Sequence, residues 1–91
     1  MRKIVILIPV YNDWESLLAL LKDINYEIQK INNCKFSCLI VNDASNHDRH
    51  EDEKSLDNIQ SIKILNMKKN QGHTRCIATG LKYIFEKEEF D

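Results

Sequence analysis

The sequence lacks both a segment long enough to cross a membrane and an excess of charge of either sign. Its 91 residues carry 13 Lys and Arg against 14 Asp and Glu, a net charge of −1. Nucleic-acid binders neutralise phosphates with clustered Lys and Arg, so this balance argues against a dedicated nucleic-acid-binding protein. No apolar run approaches the ~20 residues that span a bilayer. The opening run, Met1–Ile8, is too short and reaches a turn too soon for a signal peptide.

Cysteine and glycine are also scarce. Cys34, Cys38 and Cys76 are odd in number and lack the spacing of metal ligands. This pattern favours reduced, partly buried thiols over a disulfide or a metal site. The only glycines are Gly72 and Gly80. We expect the first to permit a positive φ in a loop and the second to permit close packing of a helix on a sheet.

What the sequence does contain is an alternation of strand and helix patterns. Lys3–Pro9 is an unbroken, mostly β-branched apolar run, typical of a strand buried on both faces of a parallel sheet. Asp13 is a suitable N-cap for a helix over about residues 14–30, because apolar residues recur there at spacings of three and four.

Two further strands and two further helices are predicted downstream. The strands are Phe36–Val41 and Ile62–Asn66. A short helix is expected somewhere between Arg49 and Ile59, and a last helix from about His73 to Lys87. The last helix is expected to bury Ile77, Leu81, Ile84 and Phe85.

The β-α-β-α-β-α order predicts an α/β fold, a Rossmann-like three-layer half domain with a parallel sheet. In such sheets ligands bind beyond the carboxyl ends of the strands. Those ends are residues 9–12, 42–45 and 66–72, which hold most of the distinctive polar residues.

The charged stretch 47–53 contains two histidines, but its crowded charges are more typical of a solvated surface than of a metal site.

Three segments at these strand ends carry a family resemblance. They are IPVYND at 8–13, LIVNDAS at 39–45 and NQGHTRCIATGL at 70–81. Together they resemble the N-terminal, nucleotide-binding half of the family 2 glycosyltransferases, inverting enzymes with the A-type fold. In that family the positions have the approximate forms IPxYN, VVDDGS and NxGxxxAxxxGL, in this order. The third segment looks most like members related to polyprenyl-phosphate sugar transferases.

The resemblance implies a binding site for a nucleotide-diphospho-sugar of the UDP or GDP type. Asp43 matches the second acid of the family's acidic pair, which accepts the imino N–H of the uracil base. Tyr11 matches an aromatic residue that packs near the base, and Pro9 and Val10 shape the backbone beside it. The sheet order it implies is 3-2-1.

Asn12 and Arg75 complete the expected site. Asn12 matches a nearly constant position of the family motif and is expected to hold the loop through bonds to the backbone. Arg75 and His73 lie at a helix start, where N–H groups face an anion; of these, Arg75 is assigned to the site. Structural roles are the alternatives: an Asx turn for Asp43, loop packing for Tyr11, and a solvated helix end for Arg75.

The sequence departs from the family at three points. Asn42 replaces the first acid of the pair, and Ala44 replaces the usual turn glycine. The D-x-D motif, which in the family binds Mg²⁺ or Mn²⁺ on the donor diphosphate, does not occur. We therefore expect no catalytic or metal-binding residue and no cofactor in this chain, and a single partial domain over residues 1–91 that is inactive alone.

Two functions stay open from the sequence. The first is the donor-binding segment of a glycosyltransferase, expected in the cytoplasm or, for the full-length enzyme, at the membrane surface. The second is a non-catalytic α/β interaction module. In the 3-2-1 order the run Ile4–Ile8 forms an exposed edge, so we expect a homodimer or another association there. A phosphotransfer receiver domain shares the alternation but would need an acidic cluster after its first strand and a lysine after its last, which this sequence lacks.

Overall fold

The computed structural model describes residues 1–44, 56–88 and 90. Each predicted strand and both long helices are confirmed within a few residues of their expected bounds. The helix expected between Arg49 and Ile59 falls mostly outside the described residues, as does the charged stretch 47–53; residues 56–59 are a turn. The elements in chain order are β1 (Arg2–Val10), α1 (Trp14–Ile28), β2 (Cys34–Asn42), β3 (Ser61–Asn66) and α2 (His73–Lys87).

The three strands form one parallel sheet in the order β1-β2-β3, which confirms the predicted 3-2-1 order. The middle strand β2 is the buried one, with Leu39, Ile40 and Val41 at most 2% exposed. Both faces of β1 are covered, as predicted, but Ile4–Pro9 is only half-buried. Of the described residues only those of β2 pair with β1, so β1 is an edge of the sheet.

The two helices cover opposite faces of the sheet. On one face Ile4, Ile6 and Ile8 of β1 pack with the buried stripe of α1. On the other face Val5 and Leu7 pack with α2. Because successive strand residues point to opposite faces, an unbroken apolar run supplies both layers at once. The result is the three-layer arrangement that the sequence predicts.

The start of α1 follows its predicted capping. Asp13 is the N-cap, and its carboxylate accepts a hydrogen bond from the Ser16 N–H at 3.4 Å. Capping satisfies a main-chain donor that has no partner inside the helix. Of the three cysteines, Cys38 and Cys76 are buried, Cys34 is half-buried and none forms a disulfide, as expected.

The buried face of α2 differs from the predicted one. Ile84 is buried as expected, but the other buried residues are Cys76 and Gly80. Ile77, Leu81 and Phe85 are 42%, 48% and 77% exposed. The physical reason is that α2 rests only its narrow face on β1 and β2. Among the described residues no strand lies beyond β1 to cover the remaining apolar side chains.

Gly80 sets how closely α2 approaches the sheet. A Cβ at this position would overlap the Leu7 Cδ1 methyl and lie 3.0 Å from Val41 Cγ2. Glycine therefore lets the helix backbone rest directly on β1 and β2, as predicted. A Cβ at Gly72 would meet nothing within 4 Å, but the residue has a positive φ of 86°, which confirms the predicted role of this glycine in the loop.

We expect Gly80→Ala to destabilise the fold, because the new methyl collides with Leu7 and Val41. Overpacking costs about 1–3 kcal/mol, and the helix propensity of alanine offsets about 1 kcal/mol of that. In a Leu7→Ala background the overlap with Leu7 disappears, so the same substitution should be neutral or stabilising. Urea unfolding of the four proteins measures this; an equal effect in both backgrounds would contradict the packing argument.

Candidate functional site

Two of the sequence motifs meet at the carboxylate of Asp43. This residue follows β2 directly and is 1% exposed. Its Oδ1 accepts the Gln71 N–H and its Oδ2 accepts the Gly72 N–H, both at 2.8 Å. The Asn70 side chain donates to the Asp43 carbonyl at 3.4 Å. Asp43 thus fastens the loop before α2 to the end of the middle strand.

The same contacts keep Asp43 ionised. The Gln71 N–H lowers the pKa of Asp43 most; burial opposes this, while the Gly72 N–H, the Cys76 thiol and the nearby His73 lower it further. The Cys76 thiol is fully buried and donates to the carboxylate. Its own pKa is raised from 9.0 to about 11, chiefly by burial. The thiol is therefore a neutral donor that supports the carboxylate.

The loop before α2 needs this carboxylate because the helix has no cap of its own. Gly72 is the N-cap residue, with φ 86° and ψ 161°, and it makes no side-chain capping bond. This backbone region is almost exclusive to glycine. A negative charge is also favourable at a helix N-terminus. Asp43, which follows β2, thus accepts the N–H groups at the start of α2. A serine or aspartate N-cap does this in helices that have a side-chain cap of their own.

The ends of the three strands are tied to one another beside Asp43. The Asp43 N–H donates to the Val10 carbonyl at 2.8 Å, which joins β1 to β2. The Asn42 amide donates to Asn66 Oδ1 at 3.0 Å, which joins β2 to β3. An ionised acid at position 42 has no donor for such a bond. The departure at Asn42 therefore has a local structural use.

A cleft of about 220 Å³ opens at the carboxyl end of β1. Its walls are mostly apolar and come from β1 and the first turns of α1. Its rim is polar and includes the start of α2. The apolar lining residues are Ile8, Pro9, Val10, Leu17 and Leu20, and the rim residues are Tyr11, Asp13, Ser16 and His73.

The structure brings some of the predicted site residues together and separates others. Pro9, Val10 and Tyr11 line the cleft, and Tyr11 is 40% exposed. Asp43 lies buried behind the cleft rather than in its lining. Arg75 is exposed on the first turn of α2 and does not line the cleft.

Asn12 has a positive φ of 55° and is half-buried in the loop between β1 and α1. Asparagine tolerates this left-handed conformation better than most residues. Its position is consistent with the predicted role in shaping the loop. The contribution of its side chain to ligand binding stays a prediction.

Sequence reasoning did not assign Ser16, Leu20 and His73 to the cleft. Leu20 belongs to the apolar stripe of α1 and lies one turn beyond Ser16. This spacing places both residues on the same side of the helix and could have indicated that they line one cleft. His73 was predicted to lie at a helix start, but no feature of the sequence indicates that this helix start reaches β1. That proximity results from the bonds that Asp43 makes to the preceding loop.

A larger depression of about 500 Å³ lies at the opposite, amino end of the strands. Its lining includes Ser37, Ser61 and Glu88, and Glu88 is bound to Lys63 at 2.6 Å. Ligands of open parallel sheets bind at the carboxyl ends of the strands. The smaller cleft is therefore the candidate site.

Comparison with known protein families agrees with this geometry. A protein-family model described as glycosyl transferase family 2 matches residues 5–87. The match covers most of the chain, and the chain belongs to glycosyl transferase family 2. Searches of curated proteins and of solved structures found no match. The three parallel strands with a helix on each face are consistent with a Rossmann-like half domain of the A-type fold.

We expect Asp43→Asn to lower the melting temperature at pH 7, because one amide oxygen cannot replace two carboxylate acceptors. The pKa of Asp43 in the folded chain lies below the ~3.9 of an unfolded aspartate. The contribution of the charge is therefore complete above about pH 4 and is lost as pH falls through the folded value.

Thermal melts of the wild type and Asp43→Asn between pH 7 and pH 3 test this, with exposed Asp23→Asn as the control. The difference in melting temperature between the wild type and Asp43→Asn should become smaller as the pH falls. A difference that does not change with pH, or an equal loss for Asp23→Asn, would contradict the role given to the carboxylate.

We expect Ala44→Gly to stabilise the chain, because Ala44 has a positive φ of 58°. The left-handed conformation costs an L-residue about 1–2 kcal/mol, of which the greater freedom of unfolded glycine cancels part. The net gain should be about 0.5–1 kcal/mol in urea unfolding. Ala78→Gly, at an exposed position in α2, should instead destabilise by a similar amount. Destabilisation by both substitutions would refute the strain at Ala44.

Proposed function

We propose that this chain binds the nucleotide of a UDP- or GDP-sugar and serves as the donor-binding segment of an inverting glycosyltransferase. The observation that carries the proposal is the cleft at the carboxyl end of β1, lined by Pro9, Val10 and Tyr11 of the family motif. The H-x-R-x-I-A-x-G-L pattern of α2 supports a relationship to polyprenyl-phosphate sugar transferases.

The size of the cleft suggests which part of the donor it holds. Sites for drug-sized ligands have about 300–1,000 Å³, so a cleft of about 220 Å³ accommodates a base rather than a whole nucleotide sugar. Its apolar walls suit the faces of a flat base, and Tyr11 offers an aromatic ring for stacking. The sugar and the diphosphate would then lie outside the cleft.

The start of α2 is the proposed location of the diphosphate. His73 lies on the rim of the cleft, and Arg75 is exposed on the same helical turn. A helix N-terminus favours anions, and Arg suits phosphate oxygens geometrically. In this proposal the main role of Asp43 is to position the loop before α2. A direct bond from the base to Asp43 would require the carboxylate to become accessible, because it is 1% exposed and already accepts from Gln71, Gly72 and Cys76.

Glycosyl transfer itself is proposed for the full family enzyme and not for this chain alone. Within the described ranges, no three His, Cys, Asp or Glu side chains come together as metal ligands. Binding of the base in the cleft requires no metal.

No helix in the described part of the chain is long and apolar enough to cross a membrane. A cytoplasmic location is part of the proposal.

A second candidate function is a non-catalytic interaction module that associates through β1. The observation that favours it is that, in the part of the chain the structure describes, β1 pairs only with β2 and leaves Ile4–Ile8 half-buried. Unpaired strand edges are templates for pairing with another chain. A homodimer through this edge is compatible with nucleotide binding, because the cleft lies at the strand's end.

Titration calorimetry with UDP and with GDP tests the donor site. We expect at least one nucleotide to bind and Tyr11→Ala to weaken that binding about tenfold, since base stacking on an aromatic ring contributes about 1–3 kcal/mol. Tyr26→Ala is the matched control, because Tyr26 is also exposed but lies near the other end of α1. Absence of heat with both nucleotides, or equal weakening by both substitutions, would refute the proposal.

A further inference from the structure

One side chain on the rim of the cleft has a charge that can change near neutral pH. It is His73, the first residue of α2, which is exposed on that rim. Histidine is the residue whose charge ordinarily changes between about pH 5 and pH 8. The charges that surround His73 therefore decide how it responds to an anionic ligand in the cleft.

Two carboxylates approach His73 from other elements. Asp43, which follows β2, is close enough for its charge to interact with that of His73. The Gln71 N–H holds the pKa of Asp43 below its usual range, so this residue stays ionised at neutral pH. Asp13, the N-cap of α1, lies on the rim of the same cleft. Negative charges at short range favour the protonated imidazole.

Positive charge on α2 acts in the opposite direction. The N-terminus of a helix carries a partial positive charge, and Arg75 is exposed on the first turn. Both disfavour a further cation at His73. In the free chain the imidazole is thus subject to opposing influences, and an added anion changes their balance.

The other titratable groups nearby do not supply the missing charge. Burial raises the pKa of the Cys76 thiol to about 11, so it is neutral. Tyr11 offers a phenol on the rim, and phenols ordinarily lose their proton only at about pH 10. Lys68 and Lys69, in the loop between β3 and α2, are exposed and, as lysines, ordinarily keep their charge through neutral pH.

The start of α2 is not by itself an open anion site. Asp43 accepts the Gln71 and Gly72 N–H groups at 2.8 Å each. Its full negative charge also offsets the partial positive charge of the helix N-terminus, about half an elementary charge. A second anion beside Asp43 therefore needs cationic side chains to hold it.

We propose that His73 takes up a proton from solvent when a nucleotide sugar binds in the cleft, and that the resulting imidazolium holds the diphosphate together with Arg75. The inference rests on the proposed donor site and specifies how this chain recognises the anionic part of its donor. A diphosphate esterified at both ends carries two negative charges, of which Arg75 balances one and His73 the other. The imidazolium donates from both ring nitrogens, whereas the neutral ring has one lone pair that would repel a phosphate oxygen.

The sign and size of the effect follow from proton linkage. Because the complex binds more protons than the free chain, nucleotide affinity must rise as the pH falls. A full unit of difference in proton affinity between the two states corresponds to a tenfold change in nucleotide affinity. His73 is exposed and solvent screens its charge, so we expect binding about three- to tenfold tighter at pH 6 than at pH 8.

Titration calorimetry with UDP-glucose and GDP-mannose at pH 6, 7 and 8 tests this. Nucleotide sugars are the probes because their diphosphate has no proton to exchange in this range, whereas a terminal phosphate titrates at about pH 6. At pH 7, the heats in two buffers of different ionisation enthalpy should show proton uptake on binding. An affinity that does not change with pH, or release of protons on binding, would overturn the inference.

Two variants separate His73 from the permanent cation beside it. His73→Gln keeps a polar side chain but cannot titrate, so its affinity should be the same at pH 6 and pH 8. Arg75→Gln should weaken binding at both pH values and keep the pH dependence, because arginine stays charged throughout. Both residues are exposed, so both variants should fold, which thermal melting checks. A His73→Gln protein with the pH dependence of the wild type would overturn the inference.

Uridine and guanosine separate the diphosphate from the base. Neither carries a phosphate, so their binding, followed by amide chemical shifts, should not depend on pH. An equal pH dependence for a nucleoside and its nucleotide sugar would overturn the diphosphate as the partner of His73. Failure of both nucleotide sugars to bind at any pH would refute the donor site and this inference together. Binding to the wild type that is independent of pH would refute the inference alone and leave the donor site intact.

Discussion

The carboxylate of Asp43 is the interaction on which the carboxyl end of the sheet depends. It is buried, ionised and bound to two main-chain N–H groups that no residue of their own loop satisfies. Through these bonds β2 fixes where α2 begins, and through the Asp43 N–H it is also tied to β1. A buried carboxylate whose oxygens both accept hydrogen bonds holds its partners in place, whereas the same charge without partners would destabilise the fold. The same bonds position the start of α2, where His73 lines the cleft.

The edge of β1 is the second constraint. A strand with apolar residues on both faces is suited to the middle of a sheet, yet here it has one neighbour among the described residues. The consequence extends to α2, whose apolar side is wider than the sheet beneath it. The carboxyl end of β1 forms the cleft, and the side of β1 away from β2 is where the second candidate function, association with another chain, would take place.

Much of the fold could be predicted from the sequence because it depends on local pattern. The strand runs, the Asp13 cap and the roles of both glycines follow from residue type and spacing, whereas the sheet order followed from the family resemblance. The burial of α2 could not be predicted, because Ile77, Leu81 and Phe85 have suitable periodicity and only the extent of the sheet leaves them exposed. The site was predicted in part. Pro9–Tyr11 line a cleft, but the bonds of Asp43 to Gln71 and Gly72 join residues far apart in sequence, and no local signal indicated them.

Mapping of nucleotide binding by amide chemical shifts tests the central claim most directly. In ¹⁵N-labelled protein titrated with UDP or GDP, we predict that the largest shifts occur at Val10, Tyr11, Ser16 and His73 around the cleft. Amides near Ser37 and Ser61, in the depression at the opposite end of the sheet, should stay unchanged. The absence of any shift with both nucleotides, or the largest shifts at that opposite end, would contradict a donor site at the carboxyl end of β1.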